Sequence, residues 1–370
     1  MQAQIVQILE AADYAQEIQR AAEQLSAGKL VVLPTETVYG VAGVITHAEV
    51  RAALGQIRNS PAPGAFTIHL ARPEQALQYL GPVNDYVQRV MRKLWPGPVG
   101  LIFDVPEPVR QKVAADWGVE ESDLYEGSSI TLRCPDHPVF ADVAAQVGEP
   151  VALTAGGQSI QRVSDLPEEI LSRVEMIFDA GQARYSKPST LIRVKEDSYE
   201  VVRSGVYDER IIDRLLRTTV LFVCSGNTCR SPMAEAIARQ YLSDRLSVRP
   251  EDLEKKGVSV ISAGSFAMPG ARATPEAVQV LGAMGLDISR HRSRPLSVEL
   301  IHQADFVYTM SQNHAKAVIA LVPGASGKVA MLDPKQDIED PIGGDLPLYT
   351  QTATRLKELI EQRLAQGVVP

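Results

Sequence analysis

Between Val220 and Leu246 the chain makes one transition that leaves few folds open. The apolar run Val220-Leu221-Phe222-Val223 stops at Cys224, turns through Ser225-Gly226-Asn227-Thr228-Cys229, and resumes beyond Arg230-Ser231 as a helical pattern from Pro232 to Leu246. A short continuous apolar run reads as a strand buried on both faces, and a strand feeding a helix in this way belongs to a parallel, doubly wound sheet. The following residues repeat the alternation. Val258 to Ser262, Phe306 to Thr309 and Lys328 to Met331 read as strands, and Pro275 to Met284, Gln312 to Leu321 and Leu346 to Leu364 as helices. Thr274-Pro275 and Ser311 supply N-caps at two helix starts.

A chain of 370 residues exceeds what a single core organises, and the upstream pattern is of a different kind. Met1 to Leu25 carries Glu10, Asp13, Glu17 and Glu23 among apolar positions and reads as an amphipathic helix rather than a signal peptide. Strand-like runs at Gly28 to Leu33, Ala65 to Leu70, Gly100 to Val105, Ser129 to Arg133, Ser189 to Val194 and Tyr199 to Arg203 alternate with helical patches. Those patches lie at Ala48 to Gln56, Pro73 to Leu80 and Asn84 to Leu94. The fold class is therefore α/β in two domains: residues 1–207 with a mixed sheet, a connecting helix at 208–217, and residues 218–370 with the parallel sheet. No apolar run reaches membrane-spanning length. Two of the three cysteines share one motif, which fits a reducing compartment and places the protein in the cytoplasm. A net charge of -8 argues against broad attraction to nucleic acid or to an anionic membrane.

The loop after Val223 has the chemistry of a phosphate cradle. Gly226 and Asn227 tolerate positive φ, so the loop can turn backbone N–H groups inward, and the next helix adds its positive end. Arg230 can clamp two phosphoryl oxygens with its planar guanidinium. The same field is expected to lower the pKa of Cys224 and ready it as nucleophile, with Ser231 donating to the thiolate and helping it leave later. A proton donor for the leaving group is sought in the turn-rich stretch Asp337 to Gly344, where Asp340-Pro341 precedes the last helix. An isolated Cys-x5-Arg reads most simply as a buried cysteine at a strand end. The order of strand, Gly-Asn loop, arginine, serine, helix-opening proline and late Asp-Pro outweighs that reading.

At these residues, from about Thr219 to Leu364, the chain resembles the low-molecular-weight protein phosphatases. The resemblance implies metal-free catalysis on a phosphorylated protein through a phosphocysteine at Cys224, with Arg230 as clamp and Asp340 as acid. Ser225, Gly226, Asn227, Thr228, Cys229 and Ser231 would form the phosphate and specificity loop. Tyrosine-directed members usually carry a bulky aliphatic residue at the position of Thr228, whereas bacterial protein-arginine phosphatases carry threonine, so phosphoarginine is favoured over phosphotyrosine. Ile342 points the other way, because arginine-directed members tend to place an aromatic residue after Asp-Pro. Cys229 could trap an oxidised Cys224 as a reversible disulfide or serve as a small buried filler. The remaining cysteine, Cys134, lies in the other domain, which disfavours an arsenate-reductase relay.

Upstream, Pro34-Thr35-Glu36-Thr37-Val38-Tyr39-Gly40, Trp95-Pro96-Gly97-Pro98, Arg133-Cys134-Pro135-Asp136-His137-Pro138 and Ser189-Thr190 recur in the order of YrdC-like threonylcarbamoyl-AMP synthases. The likeness runs from about Ala21 to Tyr207 and implies a twisted mixed-sheet α/β domain. Such enzymes use threonine, bicarbonate and ATP, with magnesium, to feed the modification of adenosine beside tRNA anticodons, an indirect link to tRNA. By resemblance Thr35, His69, Arg133 and Ser189 would line the threonine pocket, and Arg58, Ser164 and Arg203 would contact nucleotide. The family's Lys-x-Arg pair reads Arg58-Asn59-Ser60 here, and its Ser-Ala-Asn stretch reads Thr154-Ala155-Gly156. Loss of cations facing triphosphate predicts impaired or changed activity. Three readings stand: a phosphatase fused to a YrdC-like domain, a fusion whose main activity is threonylcarbamoyl-AMP synthesis, and a fusion whose first domain is a non-catalytic binding module.

Overall fold

The computed structural model describes residues 3–58, 65–156 and 159–365. Contacts divide the chain into two compact units, Met1–Leu216 and Arg217–Pro370.

The first unit is built on a ten-stranded mixed sheet. In spatial order its strands are Gln4–Gln7, Met176–Asp179, Val31–Leu33, Gly40–Val44, Val151–Thr154, Ile68–His69, Ser129–Arg133, Val99–Asp104, Thr190–Val194 and Tyr199–Arg203. Central strands are apolar at consecutive positions because both faces are covered. Leu30 and Val32 enter one core with Val41 and Ile68, while Val31 and Leu33 enter another with Ala42 and Phe140. The expected helix over Met1 to Leu25 is corrected. It starts only at Tyr14, where the Asp13 carboxylate accepts from the Gln16 N–H, and Gln4–Gln7 is a strand parallel to Met176–Asp179. The Gln-Ile-Val-Gln run takes its conformation from that distant partner, which local pattern does not reveal. Helix Glu209–Leu216 buries Ile212 and Leu216 in the core of the first unit.

The second unit carries a four-stranded sheet in the order Val258–Gly264, Thr218–Cys224, Phe306–Thr309, Val329–Met331, every pair parallel. The first strand in sequence has the second on one side and the third on the other, so chain direction reverses beside it and opens a crevice at its carboxyl end. Cys224 is the last residue of that strand. Side chains alternate along it: Val220, Phe222 and Cys224 pack with Met233, Ala234 and Ile237 of helix Arg230–Leu246, whereas Leu221 and Val223 pack with Ile301 and Val318 on the opposite face. Helices Pro275–Ala283 and Gln312–Leu321 are capped by the hydroxyls of Thr274 and Ser311. No side chain caps Arg230–Leu246, whose first-turn N–H groups face the loop that precedes them.

Candidate active site

The loop from Cys224 to Arg230 is held by Asn227. Its φ is 54°, the left-handed conformation that asparagine tolerates; Gly226, expected to share it, does not adopt positive φ. The Asn227 side chain is fully buried and uses both ends. Its Nδ2 donates to Ser231 Oγ at 2.9 Å and Ser262 Oγ at 2.8 Å, and its Oδ1 accepts from the Arg294 N–H at 2.9 Å. His291 Nε2 donates to the Asn227 carbonyl at 2.8 Å, and the Asn227 N–H donates to Cys224 Sγ at 3.3 Å. The strand beside the loop passes so near that a Cβ on Gly264 would sit 2.4 Å from the Ser225 carbonyl oxygen.

Ser231 Oγ lies 3.0 Å from Cys224 Sγ. It accepts from Asn227 Nδ2 and can give its proton to the sulfur or to the Ala263 carbonyl at 3.4 Å. Burial pushes the Cys224 thiol above its ordinary value, against the pull of the Ser231 hydroxyl and N–H, Arg230 and the Asn227 N–H. The expected depression is therefore corrected: every polar neighbour favours thiolate, and desolvation outweighs them.

Arg230 is buried, and its guanidinium donates to the Ile338 carbonyl at 2.9 Å, makes a 3.5 Å contact with Ser225 Oγ, and pairs with the Asp340 carboxylate. Asp340 is thus brought beside the loop by Arg230 itself. Two residues that the sequence did not single out as site residues support Ser225. Ser311 Oγ accepts from the His314 N–H and lies 2.8 Å from His314 Nδ1, and His314 Nε2 lies 2.9 Å from Ser225 Oγ, so the ring bridges the two hydroxyls. Burial, then Arg230, push the His314 pKa down and keep the ring neutral. Thr228 is half-buried, with its hydroxyl 3.6 Å from Cys229 Sγ, and Cys229 Sγ lies 3.4 Å from the Tyr349 hydroxyl.

In the first unit Arg133 is buried, and its guanidinium donates to Glu36 Oε1 at 2.9 Å and Thr37 Oγ1 at 2.8 Å. Glu36 thereby supplies the counter-charge that a buried guanidinium needs. Thr35 Oγ1 donates to the Val38 carbonyl at 2.6 Å and lies 3.1 Å from Thr37 Oγ1. His69 sits opposite Arg133 in the sheet register, with Nδ1 donating to the Thr67 carbonyl at 3.0 Å; burial and Arg133 push its pKa down to about 3. A cavity of about 190 Å³ is lined by Thr35, Glu36, Tyr39, His137, Gln182 and Arg184 among others. Ser189 joins a different pair, accepting from Arg203 at its carbonyl (3.0 Å) and hydroxyl (3.3 Å). Arg58 donates to the Ala65 carbonyl at 3.0 Å and stacks on Phe66, and Ser164 bonds Asp165 at 3.4 Å. Asn59 and Ser60 lie outside the described residues.

Residues 219–368 match the family model described as low molecular weight phosphotyrosine protein phosphatase, and residues 23–205 match the Sua5, YciO and YrdC model described as telomere recombination. The protein-arginine-phosphatase of Bacillus subtilis (strain 168) is 38% identical over 152 residues, covering 40% of this chain and 95% of that protein. The probable low molecular weight protein-tyrosine-phosphatase EpsP of Ralstonia nicotianae is 37% identical over 156 residues, covering 41% and 94%. The threonylcarbamoyl-AMP synthase of Pyrococcus abyssi is 24% identical over 273 residues, covering 68% and 77%.

Proposed function

The chain joins a Sua5/YrdC-family domain to a member of the low-molecular-weight phosphatase family, and from that premise we propose that its second unit hydrolyses phosphorylated protein side chains through Cys224. The observation that carries this reading is the sulfur at the strand end, in contact with the Ser231 hydroxyl and receiving the Asn227 N–H beside the Arg230 guanidinium. When the phosphoryl group displaces Asp340 from Arg230, the Cys224 proton passes to the freed carboxylate; the thiolate attacks phosphorus as the bond to the leaving nitrogen or oxygen breaks, and Asp340 hands that proton to the leaving atom. Water then attacks the phosphocysteine, giving its proton to Asp340 while Ser231 stabilises the departing thiolate. An arriving phosphoryl group competes with Asp340 for Arg230, so substrate binding frees the carboxyl for the leaving group.

Phosphoarginine is the favoured substrate, supported by Thr228, whose hydroxyl can accept from a guanidinium where an aliphatic residue would shape a dry slot. Phosphate release from phosphoarginine- and phosphotyrosine-labelled protein, by wild type, Cys224→Ser and Thr228→Ile, tests both steps. Activity surviving in Cys224→Ser removes the mechanism. An unchanged preference in Thr228→Ile removes the assignment to phosphoarginine.

For the first unit, a cavity of about 190 Å³ lined by Thr35, Glu36 and Arg184, with Arg133 paired to Glu36 behind it, supports binding of a small zwitterion such as threonine. The altered nucleotide side favours binding over adenylate transfer. Calorimetric titration with threonine, and pyrophosphate release with ATP and bicarbonate, separate the two; rapid release would replace this reading with synthesis. Three free thiols fit a reducing compartment, and we place the protein in the cytoplasm.

A further inference from the structure

One lip of the phosphate loop is formed by two segments stitched to each other and to the loop. The Gly264 N–H donates to the Arg294 carbonyl at 3.0 Å, the Leu296 N–H to the Gly264 carbonyl at 2.8 Å, and the Gly270 N–H to the Ser293 carbonyl at 2.8 Å. The Phe266 N–H donates to the Ser225 carbonyl at 3.0 Å, while His291 and the Arg294 N–H bond Asn227. The position of residues 290–294 is therefore fixed relative to Cys224.

The composition of that lip is unusual for a chain of net charge -8. Residues 264–275 and 288–298 contain Arg272, Arg290, Arg292 and Arg294 and no aspartate or glutamate. All four arginines are exposed, and none forms an ion pair among the described residues. Asp287 interacts with Arg290 through space without closing one, and Arg292 donates only to the neighbouring His291 carbonyl at 2.7 Å. On the Asp340 side of the loop negative charge predominates, with Asp337, Glu339 and Asp345 exposed beside the exposed Lys335. Exposed cations held on a rigid backbone beside an anion cradle form a field that selects what enters with the phosphate.

We propose that Arg290, Arg292 and Arg294 are a docking surface for carboxylates flanking the phosphorylated residue, so that preferred protein substrates present an acidic segment beside it. The proposal rests on the phosphatase reading above. Each exposed ion pair contributes little, and two or three together give a preference of about 3- to 30-fold in kcat/KM. That preference fades as salt shortens the screening length from about 8 Å at physiological strength to about 3 Å at 1 M.

The test uses the full chain, p-nitrophenyl phosphate, and phosphoarginyl and phosphotyrosyl peptides that differ only in carrying acidic, neutral or basic flanks. The expected result is faster turnover of acidic-flank peptides at low salt. Arg290→Gln/Arg292→Gln should remove most of the difference and Arg290→Glu/Arg292→Glu should invert it, with p-nitrophenyl phosphate turnover unchanged. Equal kcat/KM for acidic and neutral flanks, or a preference undiminished in the double Gln variant, overturns the docking surface while p-nitrophenyl phosphate hydrolysis leaves the phosphatase reading standing. Failure of wild type to hydrolyse any of these probes overturns the phosphatase reading itself.

Discussion

Arg230 and Asp340, separated by more than a hundred positions in sequence, hold each other across the mouth of the phosphate loop. The pair neutralises a buried guanidinium whose other partners are the Ile338 carbonyl and Ser225, its Nε having no hydrogen-bond partner among the described residues. An anion entering the loop must displace the carboxylate, so Asp340 opposes binding and assists chemistry. Asp340→Ala is expected to lower kcat by about 10² to 10⁴ and to tighten binding of inorganic phosphate. Phosphate inhibition constants measured beside single-turnover rates check both signs. Weaker phosphate binding in the variant would mean that the pair organises the loop rather than competing with substrate.

His314 acts through Ser225. With His314 Nε2 bonded to Ser225 Oγ and Arg230 in contact with the same oxygen, the Ser225 hydroxyl is fixed in place within the loop. A hydrogen bond to a charged group contributes about 1.5–3 kcal/mol, so Ser225→Ala and His314→Ala should each cost roughly 10-fold or more in kcat/KM. The double variant should cost no more than either single one. Additive losses in that cycle would remove the relay and leave His314 a packing residue.

Most of the second unit was legible because each element is signalled locally. Thr274 and Ser311 mark helix starts by their side chains, and the strand ending at Cys224 is an unbroken apolar run. The first unit was harder because its order comes from distant pairing. Gln4–Gln7 reads as part of an amphipathic helix until Met176–Asp179 is placed beside it, and Gly40–Val44 is a strand whose glycines local propensity disfavours. At the site, residue types reported the chemistry but not its balance. Burial at Cys224, the internal carboxylate on Arg133 and the Ser311–His314–Ser225 relay depend on what packs nearby.

The first unit should lose stability in acid. His69 is held down to about 3 and His137 to about 4, chiefly by burial, whereas unfolded histidine titrates near 6.5. Between about 6.5 and these values the unfolded chain binds protons that the folded chain does not, so stability falls as pH drops through that window. Hydrogen exchange of the Ser129–Arg133 strand, followed from pH 7 to pH 4.5, should show falling protection in wild type and a shallower fall in His69→Gln. Equal slopes would assign the acid sensitivity to other groups.

Glu36 and Arg133 offer the sharpest test of what the first unit does. Both are buried, Glu36 lines the cavity with Arg133 behind it, and Glu36 Oε2 and Arg133 Nε have no hydrogen-bond partner among the described residues. Removing the carboxylate leaves a buried cation, at a cost of about 3–5 kcal/mol in stability. Glu36→Gln should therefore lower the denaturant midpoint of the first unit. If Arg133 also receives a ligand carboxylate, threonine should restore more stability to Glu36→Gln than it adds to wild type, because the added carboxylate meets an unpaired guanidinium. If threonine shifts both proteins equally, Arg133 is a structural cation paired for good with Glu36, and recognition must come from elsewhere in the cavity.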